Sequence, residues 1–185
     1  MCNLAATENT TNQFPVKLLK TKYKAMDEIT QALFAASRQG NVPVLKEIFS
    51  LNYDLNVYDE KGFTPLILAA YNNHSEAVKE LIKAGASLDA GDNSGNTALM
   101  GASFKGYFEV VKTLIAKGAN LNAQNGNGGT ALMFAAMFGR NEILGLLLEY
   151  GADKDIRDKR GMTALDLAAQ QGNTRAVVSL QEVDA

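Results

Sequence analysis

The residue types that most often carry chemistry are scarce in this chain. It has one histidine, His74, and one cysteine, Cys2. A Ser–His or Cys–His nucleophilic site would have to be built on His74. One cysteine excludes an intramolecular disulfide framework, a cysteine-rich zinc site and an iron–sulfur cluster. The stretch NGNGG at 125–129 does not have the lysine and hydroxyl residue of a phosphate loop. The stretch DKDIRD at 153–158 has the alternating acids of a calcium loop without its glycine and terminal glutamate. Asp59, Asp92 and Asp158 are spread along the chain, where a carboxylate serves a turn. These residues assemble no catalytic or metal site, so the chain is not expected to be an enzyme.

The elements that would position any functional side chain follow from an internal period. Thr64, Thr97, Thr130 and Thr163 are 33 residues apart. Gly62, Gly95, Gly128 and Gly161 keep the same step, as do Gly85, Gly118 and Gly151, and so do Gly40, Asn73, Gly106, Gly139 and Gly172. The unit reads D-x-x-G-x-T-[AP]-L, then a small-residue patch, a short apolar helix and G-A, with Asn125 in place of Asp in one copy and a degenerate first copy from about Met26. Each threonine is placed to cap a helix, and Pro65 suits the first helical position, where its missing N–H is not needed. Small pairs such as Ala69-Ala70, Ala102-Ser103, Ala135-Ala136 and Ala168-Ala169 allow close helix approach. Gly or Asn then ends the first helix in the left-handed conformation. A second helix buries one stripe, such as Ala77, Val78, Leu81 and Ile82 or Ile143, Leu144, Leu147 and Leu148. The first copy has Ile29, Thr30 and Gln31 where the others have Gly-x-Thr.

Charge and composition narrow the partners. Eighteen Lys+Arg against 20 Asp+Glu give a net charge of −2, which argues against nucleic acid and an anionic membrane surface. No apolar run approaches the length of a membrane span. Polar Asn and Thr occupy the place of a secretory h-region, so the expected localisation is cytoplasmic, and a periplasmic location or a lipid anchor on Cys2 would require a signal segment trimmed before Cys2. Residues 1–24 hold four lysines against one glutamate and read as a flexible basic tail that docks, at most, as a short helix around Val16–Tyr23.

The repeated unit resembles the ankyrin repeat over residues 27–181. The resemblance implies an all-α repeat solenoid of five ankyrin repeats, each a pair of antiparallel helices with β-hairpin-type loops, at about 26–58, 59–91, 92–124, 125–157 and 158–185. The first and last copies would act as caps, and the protein would be a monomer. Ankyrin repeats often carry His three residues after the Thr. Here the position holds Ile67, Met100, Met133 and Asp166, so apolar packing is expected instead of a histidine network. His74 stands where ankyrin repeats commonly carry a histidine at the start of the second helix.

The resemblance also implies a partner protein on the concave face, formed by the loop tips and first helices. The residues placed there are Arg38, Tyr58, Lys61, Phe63, Tyr71, Asn72, Asn96, Phe104, Lys105, Met137, Phe138, Lys159, Arg160 and Met162. Tyr71, Phe104 and Met137 fall one repeat apart with Phe138 beside them, a stripe of a kind that marks binding surfaces. The alternative is that these side chains fold against neighbouring loops as local core. The segments TALMGA (97–102) and TALMFA (130–135) further resemble a subset of bacterial ankyrin proteins encoded beside catalase genes. That resemblance implies an accessory that supports catalase activity or haem supply, with Tyr58, Tyr71, Met137 and His74 as the available haem-ligand types. Three functions stay open: a module binding a partner protein such as a catalase or another enzyme, a haem-handling accessory, and an inhibitor or immunity protein that covers an enzyme's active site.

Overall fold

The structure, a computed structural model, describes residues 16–182. These form ten α-helices and no strand: α1 (Val16–Gln39), α2 (Val42–Ser50), α3 (Pro65–Tyr71), α4 (Ser75–Lys83), α5 (Ala98–Lys105), α6 (Phe108–Ala116), α7 (Ala131–Met137), α8 (Asn141–Glu149), α9 (Ala164–Gln170) and α10 (Thr174–Glu182). Consecutive helices pair, and each pair packs on the next, so the odd-numbered helices form one layer and the even-numbered helices a second. This is the all-α repeat solenoid that the resemblance implies, except that its loops close as turns and not as β-hairpins among the described residues.

Local chemistry explains where each element begins and ends. The hydroxyls of Thr64, Thr97, Thr130 and Thr163 accept from the backbone N–H three residues on, at 3.2–3.3 Å. This satisfies a donor that helix geometry leaves unpaired. In the last repeat Asp166 completes a capping box, its Oδ2 accepting from the backbone N–H and the hydroxyl of Thr163 at 2.9 Å. The acid that opens each unit holds the preceding turn. Asp59 Oδ1 accepts from the N–H groups of Lys61 and Phe63, and Asn125 Oδ1 does the same for Asn127 and Gly129. Because an amide oxygen serves as well as a carboxylate, Asn substitutes for Asp without loss of the turn. The DKDIRD acids act in the same way. Asp153 Oδ1 accepts from the Asp155 N–H, and Asp158 holds its own turn. Asn73, at φ 63°, takes the left-handed place that glycine fills in the other repeats.

The core lies between the layers. Leu81, Val110, Val111, Leu114, Leu144 and Leu147 on the second helices are fully buried, as are Ala69, Ala70, Ala102, Ala135, Ala136 and Ala168 on the first. Ile82 and Leu148 sit half-buried at the edge of the predicted stripe. Ile67, Met100 and Met133 are buried at the positions where a histidine network was not expected.

The first repeat departs from its neighbours in a way its sequence explains. Ile29, Thr30 and Gln31 supply neither a left-handed glycine nor a threonine cap, so nothing interrupts the helix, and α1 runs for 24 residues across the boundary drawn at 24/25. Residues 1–15 of the basic tail lie outside the described residues. Thr30 Oγ1 and Tyr53 Oη share a hydrogen bond that ties α1 to the loop after α2.

Two outcomes follow from this packing. The hydroxyls of Ser37 and Ser103 are buried with no hydrogen-bond partner, while the equivalent positions in repeats two and four are Ala70 and Ala136. Ser103→Ala is expected to stabilise the fold by about 1 kcal/mol, read as a higher Tm and an unchanged m-value, because it removes a desolvated polar group at constant shape. The carboxyls of Asp158 and Asp166 are both held below their usual range. The main cause for Asp158 is the Met162 N–H, with Arg160 adding to it; for Asp166 it is the Thr163 N–H and hydroxyl. The unfolded chain binds protons on these groups more readily, so their stabilisation is complete above the unfolded pKa and is lost as pH falls through the lower folded values. Melting curves below about pH 4 should show a shallower loss of Tm for the Asp158→Asn/Asp166→Asn variant than for the parent chain.

Candidate functional site

Three adjoining hollows run along the face formed by the first helices and the loop tips. The first, of 650 Å³, is lined by Arg38, Tyr58, Lys61, Phe63, Tyr71 and Asn72, among others. The second, of 280 Å³, shares Phe63 and Tyr71 with it and adds Asn96, Met100, Gly101, Phe104 and Phe134. The third, of 410 Å³, shares Phe134 and adds Met133, Met137, Lys159 and Arg160. Shared walls make the three one groove across the repeats.

The groove owes its apolar character to a row of rings. Tyr71 stacks on Phe104 with centroids 6.4 Å apart and planes 11° from parallel. Phe104 meets Phe138 edge-on at 4.5 Å and Phe134 edge-on at 6.5 Å, both within the favoured range for aromatic pairs. Lys105 Nζ lies 4.5 Å from the Tyr71 centroid, a cation–π contact. Tyr71 and Phe138 each keep 40% of their surface exposed, and Tyr58 keeps 56%, while Phe104, Phe134 and Met137 are half-buried. The rings are therefore neither scattered nor sealed: each packs on its neighbour and still faces solvent.

Electrostatics along the rim follow from the turns. Arg38 Nη2 lies 3.7 Å from Asp59 Oδ2, and Arg160 donates from Nε and Nη2 to Asp158 Oδ2 at 3.0 and 2.9 Å. Asp92 accepts from the N–H groups of Ser94 and Asn96 and from the Asn96 side-chain amide. Lys61 and Lys159 are exposed and form no ion pair among the described residues.

Not every residue assigned from the sequence reaches the groove. Met162 is half-buried against the core, its N–H donating to Asp158 Oδ1, and it lines none of the three hollows. Lys105 and Phe138 reach the groove through their contacts with Tyr71 and Phe104. The four haem-ligand types do not converge. Tyr58 and Tyr71 share the first hollow, and Met137 lines the third. His74 is at the joint between repeats, its Nε2 2.9 Å from the Arg38 carbonyl oxygen, so that nitrogen carries the proton and donates. Arg140 and Asn173, equivalent in position, reach back likewise to the carbonyls of Phe104 and Ala136. His74 is thus one of a column of clasps on the exposed end of the preceding first helix.

Several groove residues escaped the sequence reading, Phe134 and Gly101 among them. Phe134 and Gly101 belong to a 33-residue column with Leu68 and Leu167, four positions into each first helix. That column reads as core when only the positions beside the terminal glycine are scanned for exposure.

The family model for ankyrin repeats (three copies) matches residues 33–125 and 120–185. The chain belongs to the ankyrin-repeat family, whose members are typically non-enzymatic scaffolds that bind other proteins. None of the curated proteins compared with it matches significantly. Among the described residues no helix is long and apolar enough to cross a membrane.

The differing burial of the rings gives an expected outcome. Tyr71→Ala, at an exposed ring with one stacked neighbour, should lower stability by about 0.5–1 kcal/mol. Phe104→Ala removes the ring that touches Tyr71, Phe134 and Phe138 and should cost about 2 kcal/mol, short of the full burial penalty because the ring is partly exposed. Urea denaturation of the two variants measures both.

Proposed function

We propose that this protein binds a partner protein through the groove formed by its first helices and loop tips, with the row Tyr71, Phe104, Met137 and Phe138 as the anchor of the contact. The observation that carries this reading is the ring row itself. Apolar and aromatic side chains from three successive repeats form one contiguous surface that the fold does not bury. Contiguous exposed apolar area is rare on a soluble protein without a partner, and aromatic side chains dominate the energetics of interfaces. The groove also carries the exposed amide of Asn72 at its edge and charge from Lys61, Lys105 and Lys159, while the Asn96 amide is held by Asp92 and Asn125. The finer reading, an accessory to a haem catalase, rests on the TALMGA and TALMFA segments alone, and the burial of Met100 and Met133 gives those segments a packing role.

Affinity capture from the source organism, followed by mass spectrometry, tests the proposal. A partner retained by the parent chain and by Lys79→Glu, on α4 away from the groove, should be lost with Tyr71→Glu and with Phe138→Glu. Retention by both groove variants at parental levels overturns the reading. Adding the chain to the captured partner then separates the remaining functions. Gained catalase activity supports the accessory, lost activity supports an inhibitor or immunity protein, and a Soret band on haem titration marks haem handling.

A further inference from the structure

We propose that Asn127, at the loop tip of repeat four, is a self-modifying site: the Gly128 nitrogen attacks its side chain and converts the amide, over time, to a carboxylate on the wall of the third hollow. The inference goes beyond the protein-binding reading and stands whether or not the groove takes a partner.

The site arises because the fold demands glycine beside a residue that it leaves open. Each loop tip has glycine at the same place, Gly62, Gly95, Gly128 and Gly161, at φ 77–80°. At Gly128 a Cβ would also meet Asp158 Cα and Lys159 N at 3.1 Å, so a side chain is crowded there as well as strained. The residue before this glycine is Lys61, Ser94 and Arg160 in the other tips and asparagine in this one. Asparagine followed by glycine lets the main-chain nitrogen reach the side-chain carbon, because glycine puts no side chain in the way and the ring that forms is five-membered. The first step makes the bond from Gly128 N to Asn127 Cγ and breaks the bond from Cγ to Nδ2. The proton leaves the Gly128 nitrogen, and ammonia departs. Water then opens the cyclic imide at either carbonyl and leaves aspartate or isoaspartate. The net exchange is water for ammonia, with no oxidation or reduction.

The chain has a second Asn–Gly pair, Asn125–Gly126, and the fold treats the two differently. Asn125 is half-buried. Its Oδ1 accepts from the N–H groups of Asn127 and Gly129 at 2.9 Å, and its Nδ2 donates to Asn96 Oδ1 at 2.7 Å. The nitrogen that would attack it is also engaged, since the Gly126 N–H donates across the repeats to the Ser94 carbonyl at 2.7 Å. The Asn127 side chain is exposed and makes no hydrogen bond among the described residues. Attack on it releases only the Gly128 N–H from the Asn125 carbonyl, at 2.8 Å within the turn, and exposed tips open more readily than packed elements. One bond to release against four separates the two rates by about a hundredfold, at roughly fivefold per bond. The product adds a negative charge beside Lys159 and Arg160, which line the same hollow. As isoaspartate it also reroutes the main chain where the Asn127 carbonyl accepts from the Lys159 N–H at 2.9 Å, which loosens the joint between repeats four and five.

The test is incubation of the intact chain in neutral buffer at physiological temperature, followed by peptide mapping by mass spectrometry and labelling with an isoaspartyl methyltransferase. The folded chain should gain an acidic form with the amide-to-acid mass change at residue 127, while residue 125 changes about a hundredfold more slowly. In urea, where the bonds that hold Asn125 are gone, the two residues should change at similar rates. Asn127→Ser, which copies the residue that repeat three holds at this place, should abolish the acidic form and keep the circular dichroism spectrum. The isoaspartyl form, separated by ion exchange, should melt below Asn127→Asp, which has the charge without the rerouted chain. No change at residue 127 in the folded chain, while the chain in urea is converted, overturns the proposal. Equal rates at 125 and 127 in the folded chain overturn the assignment of the site to Asn127. An isoaspartyl form that melts with Asn127→Asp overturns the loosened joint and leaves the modification standing.

Discussion

Close contact between first helices sets the geometry of this molecule. A pair of short helices cannot bury its apolar faces alone, so each repeat is completed by the next one. The alanines at 69, 70, 102, 135, 136 and 168 are buried completely, and their small size keeps neighbouring first helices near each other. Once that approach is fixed, equivalent side chains repeat at short intervals along one face. A ring in one repeat then touches the ring of the next, as Tyr71 touches Phe104 and Phe104 touches Phe138. The groove is therefore a consequence of core packing and not an addition to it.

Polar groups tie the repeats together in ways that leave the groove free. Asn56, Asp89 and Asn122 each accept, through Oδ1, from a backbone N–H of the following repeat at 2.8–2.9 Å. His74, Arg140 and Asn173 donate back to carbonyls of the preceding one. The loop tips add direct backbone bonds, from Gly126 to Ser94 and from Lys159 to Asn127. These bonds satisfy groups that a stack of short helices would otherwise leave unpaired.

Much of this was legible before any coordinates. A helix cap, a left-handed glycine and a turn-closing acid are local devices, and each acts within four residues of itself. Thr64, Asn73, Gly106 and Asp158 therefore announced their roles directly, and the 33-residue step between copies announced the stacking. The start of α1 was less legible, because Ile29-Thr30-Gln31 shows only that a stop signal is missing. The Asn56 column and the Arg140 and Asn173 clasps were not legible, since their partners lie 31–37 residues away and their side-chain types vary from repeat to repeat.

The sequence by itself determined the paired-helix repeat, the buried stripes and the membership of Tyr71, Phe104 and Met137 in one column. Only the tertiary structure decided that Phe134 joins that row, that Met162 does not, and that Gly101 lines the middle hollow. The reason is physical: periodicity reports which residues occupy equivalent slots, whereas exposure depends on the size of the side chain that the neighbouring repeat places against each slot.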